Sequence, residues 1–294
     1  MKSYIVTIIL LSSVFVMVNC NDIANNSNLQ MLNNAIDKQD TAEIRRILVS
    51  NPMLINNVDS DYNNIPLIRA VDRRKRASVE QLLRLGADPN IISKRGMTPL
   101  IKAIDFGKYD VSFNEDPTFV EILLKAGADP NLNYVVPDDS TGHTILKNNE
   151  SPLMYSVGGY GYEKSLLLIH YGADIHYKLE TQVNAAILSL ILEDIDNAYN
   201  LIVNLNADIT QPYYYYKLGS NDINFDDPRE PVDLLFFLIY EIGTPEFKKK
   251  MAIVEKLESN GIYYHSRKDK IPESVLYRIK QLHPSDFSEY IEVY

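Results

Sequence analysis

The sequence predicts an all-α protein built as a stack of helix pairs, and three observations predict it. A six-residue phrase recurs: Leu85-Gly86-Ala87-Asp88-Pro89-Asn90 returns as Ala126-Gly127-Ala128-Asp129-Pro130-Asn131. It returns again, degraded, as Tyr171-Gly172-Ala173-Asp174-Ile175-His176 and Leu205-Asn206-Ala207-Asp208-Ile209-Thr210. A second phrase keeps step with it, Ile65-Pro66-Leu67, Thr98-Pro99-Leu100 and Ser151-Pro152-Leu153, with Pro66 and Pro99 33 residues apart. Between the phrases, apolar residues fall at helical spacing.

Each element follows from its residues. Pro66 opens a helix, because its fixed φ suits the first turn and its missing N–H is not needed there. Leu67, Ala70 and Val71 continue that helix, and Val79, Leu82 and Leu83 mark a second one. Gly86 ends it at positive φ, where a Cβ would be penalised. Asp88-Pro89-Asn90 begins a turn in which the short side chains bond local backbone. A helix pair of this kind cannot bury its apolar face alone and must stack on a neighbour.

Together these residues resemble the ankyrin repeat family, over roughly residues 28 to 262. The resemblance implies an ankyrin-repeat solenoid of about six helix-turn-helix repeats, with short β-turn or hairpin connections and a C-terminal capping helix. The repeats are expected near 29–58, 62–92, 95–132, 149–176, 183–210 and 228–262, with a cap over 270–294. Met31 to Ile36 is expected as the first helix of a degenerate first repeat. Ala186 is placed at the helix start of repeat five, 20 residues before Asn206. The last repeat runs from Pro231 to Gly261 with lengthened helices. Extra residues around Phe106 to Pro117 enlarge the link inside repeat three. Residues 133–148 and 211–227 are insertions, and insertions in such stacks map to loops, often on a binding face.

The front of the chain reads differently. Lys2 and the apolar run Tyr4 to Val18 read as a secretory signal over 1–19, too short for a comfortable membrane span. Two readings of Cys20, the one cysteine, compete. In the first the segment resembles a bacterial lipoprotein signal, so that Cys20 carries lipid and residues 20–28 form a flexible tether; Met17 and Asn19 depart from that pattern. In the second an ordinary signal peptidase cuts after Cys20 and the chain is secreted. On the first reading the protein is exported to the periplasm and touches membrane only through its N-terminal lipid. A single cysteine leaves no intramolecular disulfide, so the fold relies on packing.

Formal net charge is −10, which disfavours nucleic acid as a partner. The basic clusters Arg73 to Arg76 and Lys248 to Lys250 read first as solvated faces. The sharper reading of Arg73 to Arg76 is a site at the end of the first helix of repeat two, close to the concave side, for an acidic partner. The resemblance implies a binding strip along the first helices and the hairpin tips. Three residues after each helix start it holds Asn34, Arg69, Lys102, Tyr155 and Ser189. The tips add Asp61, Tyr62, Lys94, Arg95 and Met97. The run Tyr213, Tyr214, Tyr215, Tyr216 either packs half its rings on the stack or forms an aromatic arm presented to a partner.

No chemistry is expected. The five histidines show no metal-ligand spacing. Gly158-Gly159-Tyr160-Gly161 lacks the strand and the Lys-Ser/Thr of a phosphate loop and reads as a turn between helices. No cofactor, metal or catalytic residue is assigned. The expected partner is a protein, and the free chain is expected to be a monomer. By analogy with bacterial ankyrin-repeat proteins, the leading function is a periplasmic immunity protein that occludes a secreted hydrolase toxin. The alternatives are an envelope scaffold or stress-protection protein, and a secreted effector that binds a host protein.

Overall fold

The computed structural model of the chain describes residues 27–58, 65–105, 116–134, 149–158, 161–217 and 222–293. The expected signal, Cys20, Asp61 and Tyr62 lie outside the described residues, as does most of the 133–148 insertion. The chain divides into two compact units. One takes residues up to Ala103 together with Glu121–Asp129, and the other takes Ile104–Val120 and Pro130 onward. Among the described residues there are helices and isolated antiparallel bridges, with no extended strand. No described helix is long and apolar enough to cross a membrane.

In the first unit, α1 covers residues 27–38, α2 Thr41–Ser50, α3 Pro66–Asp72 and α4 Arg76–Arg84. The tether expected over 20–28 therefore ends sooner, since Asn28 lies in α1 and its side-chain amide bonds the Asn51 side chain at 3.2 Å. Asp40 caps α2 by accepting the Glu43 N–H at 3.0 Å, and Pro66 fills the first position of α3. The facing stripes Leu32, Ile36, Ile44, Leu67, Ile68, Val79 and Leu82 are buried. Helices α5, Pro99–Asp105, and α6, Thr118–Lys125, are divided between the two units.

The second unit contains α7 Pro152–Ser156, α8 Tyr162–His170, α9 Ala185–Ile191 and α10 Ile195–Tyr199. A single π turn, Asn200–Asn204, extends α10. There follow a 3₁₀ segment Pro231–Phe237, α11 Pro245–Ser259, a second 3₁₀ segment His265–Lys270, α12 Glu273–Leu282 and α13 Phe287–Val293. In the last pair only the second helix is long; the first is a seven-residue 3₁₀ segment, where lengthening of both was expected. Lys268 Nζ donates to the Ile291 and Glu292 carbonyls at 3.0 and 2.7 Å, and the Tyr290 hydroxyl donates to the Tyr240 carbonyl at 2.5 Å, tying α13 down.

The recurring phrase closes each helix pair in one way. Gly86 sits at φ +93, and the Ala87 N–H turns back to the Leu82 carbonyl five residues earlier at 3.0 Å. The same bond joins Ala128 to Leu123, Ala173 to Leu168 and Ile262 to Leu257. In repeat five Asn206, at φ +58, replaces the glycine, and the Ala207 N–H reaches six residues back to Leu201. The π turn supplies that extra residue. The first helix of this repeat starts one residue earlier than Ala186, because Asn184 is its cap, accepting the Ile187 N–H at 2.8 Å. The interval from Ala185 to Asn206 is thus one longer than Pro66 to Gly86 or Pro152 to Gly172.

The Asp-Pro-Asn part of the phrase links neighbouring turns. Within the first unit, Asn90 accepts the Asp129 N–H at 2.7 Å and donates to the Gly127 carbonyl at 3.0 Å. Within the second, Asn131 accepts the Asp174 N–H at 2.7 Å and donates to the Gly172 carbonyl at 3.0 Å. Each Asn satisfies one donor and one acceptor that helix geometry leaves open. His176 takes the next place, and there Asp208 is held by Lys178 Nζ at 3.1 Å and by Asn184 on its carbonyl at 2.7 Å.

Candidate protein-binding surface

In three of the repeats the position three residues into the first helix, expected to be free for a partner, is tied to an aspartate of the preceding helix pair. In the first unit the Arg69 guanidinium forks onto the Asp37 carboxylate, with Nε–Oδ1 3.1 Å and Nη2–Oδ2 2.6 Å. Lys102 Nζ lies 2.7 Å from Asp72 Oδ1. In the second unit the Tyr155 hydroxyl donates to Asp105 Oδ1 at 3.2 Å, and its ring meets Tyr134 edge-on at 5.8 Å. Burial first, and the Asp105 carboxylate second, hold the Tyr155 phenol above its ordinary range. Asp37, Asp72 and Asp105 each stand three residues after the strip position of their own helix. These three strip residues therefore position neighbouring repeats.

Ser189 does not belong to the strip. It is 0 % exposed, and its Oγ bonds the Ala186 carbonyl at 2.8 Å. The one-residue shift of α9 puts it level with Ala70, Ala103 and Ser156, which are buried as well. The residue in strip register is Leu188, also buried. Asn34 is exposed on α1. Arg73 is exposed at the end of α3, where its backbone N–H bonds the Arg69 carbonyl.

The links between helix pairs share one base. Seven residues after each positive-φ position, an N–H donates to a carbonyl two residues before the next helix. The pairs are Ser93 to Met97 in the first unit, and Tyr134 to Glu150, Leu179 to Val183 and Tyr213 to Arg229 in the second, all at 2.9 Å. Residues 94–96 and 180–182 fill the short links. Residues 135–149 and 214–228 fill the long ones, so both insertions hang from the same structural position. Lys94 and Arg95 are exposed on a short link, and Met97 is half-buried at its base.

The second long link carries the four tyrosines, and neither arrangement expected for them is found whole. Tyr213 is buried and Tyr214, Tyr215 and Tyr216 are half-buried. Tyr213 and Tyr215 meet edge-on at 5.5 Å with hydroxyls 3.3 Å apart, and Tyr214 meets Phe225 at 5.1 Å. The Tyr214 N–H donates to the Thr181 carbonyl, and Tyr216 bridges to Ile223, so the two sides of the arm are held together and to the neighbouring link. Burial raises the Tyr213 phenol, with the Tyr215 hydroxyl adding to it; burial and the Glu180 carboxylate raise Tyr216.

The sequence that forms these helix pairs, closures and links matches a known family over residues 67–179, described as ankyrin repeats (3 copies). Residues 67–179 are ankyrin repeats. The chain is also similar to the ANK repeat-containing protein nipk-1 of Caenorhabditis elegans, 27% identical over 144 residues, covering 35% of this chain. The matched stretch spans 23% of that relative's length. Ankyrin repeats of this kind indicate a protein-binding module over the matched residues. Among the described residues no group of three His, Cys, Asp or Glu could hold a metal ion.

Gly161 belongs to the ankyrin scaffold and not to a ligand loop: a Cβ there would stand 1.7 Å from the Ser156 carbonyl oxygen. Sequence reasoning missed the aspartate partners of the strip. Their signal was present, since Asp37, Asp72 and Asp105 recur at one register. It also missed Phe225, which is 64% exposed beside Tyr214 and carries no motif.

Proposed function

We propose that the chain is an exported, lipid-tethered module that binds and occludes a toxic secreted effector, acting as an immunity protein. The observation that carries the binding step is the pair of long links, Tyr134 to Glu150 and Tyr213 to Arg229, hung from one position of the repeat. Arms on a rigid stack can cover a partner's cleft without catalysing anything. The apolar run ahead of Cys20 supports export, and Cys20 supplies the tether.

The test is affinity capture of the chain from its producer's envelope, followed by assay of what co-purifies. One stoichiometric hydrolase, inhibited by added chain, is the expected result. The control variant is Lys94→Ala with Arg95→Ala, two residues exposed on a short link. Retention of a resident, non-toxic envelope protein in place of a hydrolase would sink the immunity reading in favour of a scaffold.

A further inference from the structure

The arm between Tyr213 and Arg229 has two aromatic faces, and one of them already holds a cation. On the first face the Arg229 guanidinium lies 5.8 Å from the centre of the Tyr215 ring while Nη2 bonds Asp227 at 2.6 Å. A ring and a carboxylate thus share one arginine, the arrangement in which cation–π attraction and charge pairing reinforce each other. The second face, a pair of rings, presents itself outward. Tyr214 backs Phe225 edge-on at 5.1 Å, and Phe225 is 64% exposed. Asp222, Asp226 and Asp227, the last bonded to Arg229, are exposed in the same segment, and Glu180 stands near enough to Tyr216 to raise its phenol.

Charge around the arm points the same way. Residues 213–230 carry Lys217 and Arg229 against Asp222, Asp226, Asp227 and Glu230. The unit that bears the arm holds 28 Asp and Glu against 15 Lys and Arg; the other unit holds 11 against 14. An exposed aromatic ring in an acidic field selects cationic side chains, and the field steers them to it. The base of the arm is fixed by the paired Tyr213–Arg229 hydrogen bonds and by Tyr214 N–H to Thr181, so the ring is presented with little ordering left to do on contact.

We propose that the Tyr214–Phe225 face is a docking surface for an arginine- or lysine-bearing segment of a protein partner. This rests on the protein-binding reading above and names the chemistry of the segment that reaches the arm. The probe is fluorescein-labelled octa-arginine, titrated into the full chain by fluorescence anisotropy at several salt concentrations. Binding that weakens with salt is expected. Phe225→Ala should weaken it roughly 5- to 10-fold with net charge unchanged, Phe225→Leu nearly as much, and Phe225→Tyr little. Circular dichroism confirms that each variant is folded. Equal binding by wild type and Phe225→Ala would overturn the proposal, because bulk negative charge would then explain all of it. No binding by wild type would overturn it too, while capture that depends on Lys94 and Arg95 would leave the protein-binding reading standing. Concentration-dependent dimerisation lost in Phe225→Ala would overturn the partner's class in favour of a second copy of this chain.

Discussion

Arg69 grips Asp37 across neighbouring helix pairs with both arms of its guanidinium, at 3.1 and 2.6 Å, and its side chain retains 17% of its exposure. An arginine picked out as a contact residue thus serves as a spacer between repeats. Lys102 with Asp72, and Tyr155 with Asp105, repeat the relationship. Substitutions at these positions report on stability before they report on binding.

Arg69→Met is therefore expected to destabilise the chain by about 1 kcal/mol, given a partly exposed but bidentate pair. A double-mutant cycle with Asp37→Asn in urea should return a coupling of similar size. A coupling near zero would mean that the fork is a surface ion pair of no consequence.

Asn131→Ala removes an acceptor for the Asp174 N–H and a donor to the Gly172 carbonyl together. The expected cost is roughly 1–2 kcal/mol, with the midpoint of thermal unfolding lowered. Asn90→Ala should behave alike, since it makes the equivalent two bonds. His176→Asn tests the converse: restoring the asparagine to the next turn should leave stability equal or raise it.

Glu193 holds φ +57 between α9 and α10, as Gln39 and Arg74 do in their own helix links. A side chain there costs about 1–2 kcal/mol, and glycine returns part of that as lost chain entropy. Glu193→Gly should gain roughly 0.5–1 kcal/mol, and Glu193→Val should lose at least as much. Chemical denaturation of the two variants side by side gives the ordering, and a more stable valine variant would contradict the backbone assignment.

Burial raises the Tyr240 and Tyr290 phenols from 10.0 to about 12, with nearby carboxylates adding to the effect. The neutral phenol is the folded form, so this contribution is whole below pH 10.0 and is lost as pH rises toward 12. The share of urea-measured stability that depends on these phenols should be level from pH 8 to 9.5 and decline above it, superposed on a rise with pH from Lys250, whose burial holds its ammonium well below the usual lysine range. Tyr290→Phe should lower stability at pH 8 through the lost bond to the Tyr240 carbonyl and make the alkaline decline shallower. A decline of unchanged steepness would place the sensitive group elsewhere.

The helix pairs were readable because Pro66, Pro99 and Pro152 at helix starts, and Gly86, Gly127 and Gly172 at helix ends, each answer a backbone requirement that few residues meet. Asx turns at Asp88 and Asp174 were readable for the same reason. The α9 start was misplaced by one residue because a π turn has no residue signature. It arises from a length surplus that packing absorbs, and that surplus put Ser189 in the wrong register. The strip was drawn from the register that the ankyrin resemblance implies, whereas Arg69, Lys102 and Tyr155 find their acids in another repeat. Phe225 was invisible because its role depends on which strand faces Tyr214.

The common base of the links separates two properties that usually constrain each other. Lengthening a link from three to fifteen residues costs only about 1.4 kcal/mol of closure entropy, and the helices on either side keep the same hydrogen bonds. What hangs from the base can be exchanged while the frame beneath it stays in register. Grafting the 214–228 segment between Leu179 and Val183 would then move the aromatic face one repeat along without a new fold. In this frame, the ruler that spaces the repeats and the reagent that meets the partner are written in different stretches of chain.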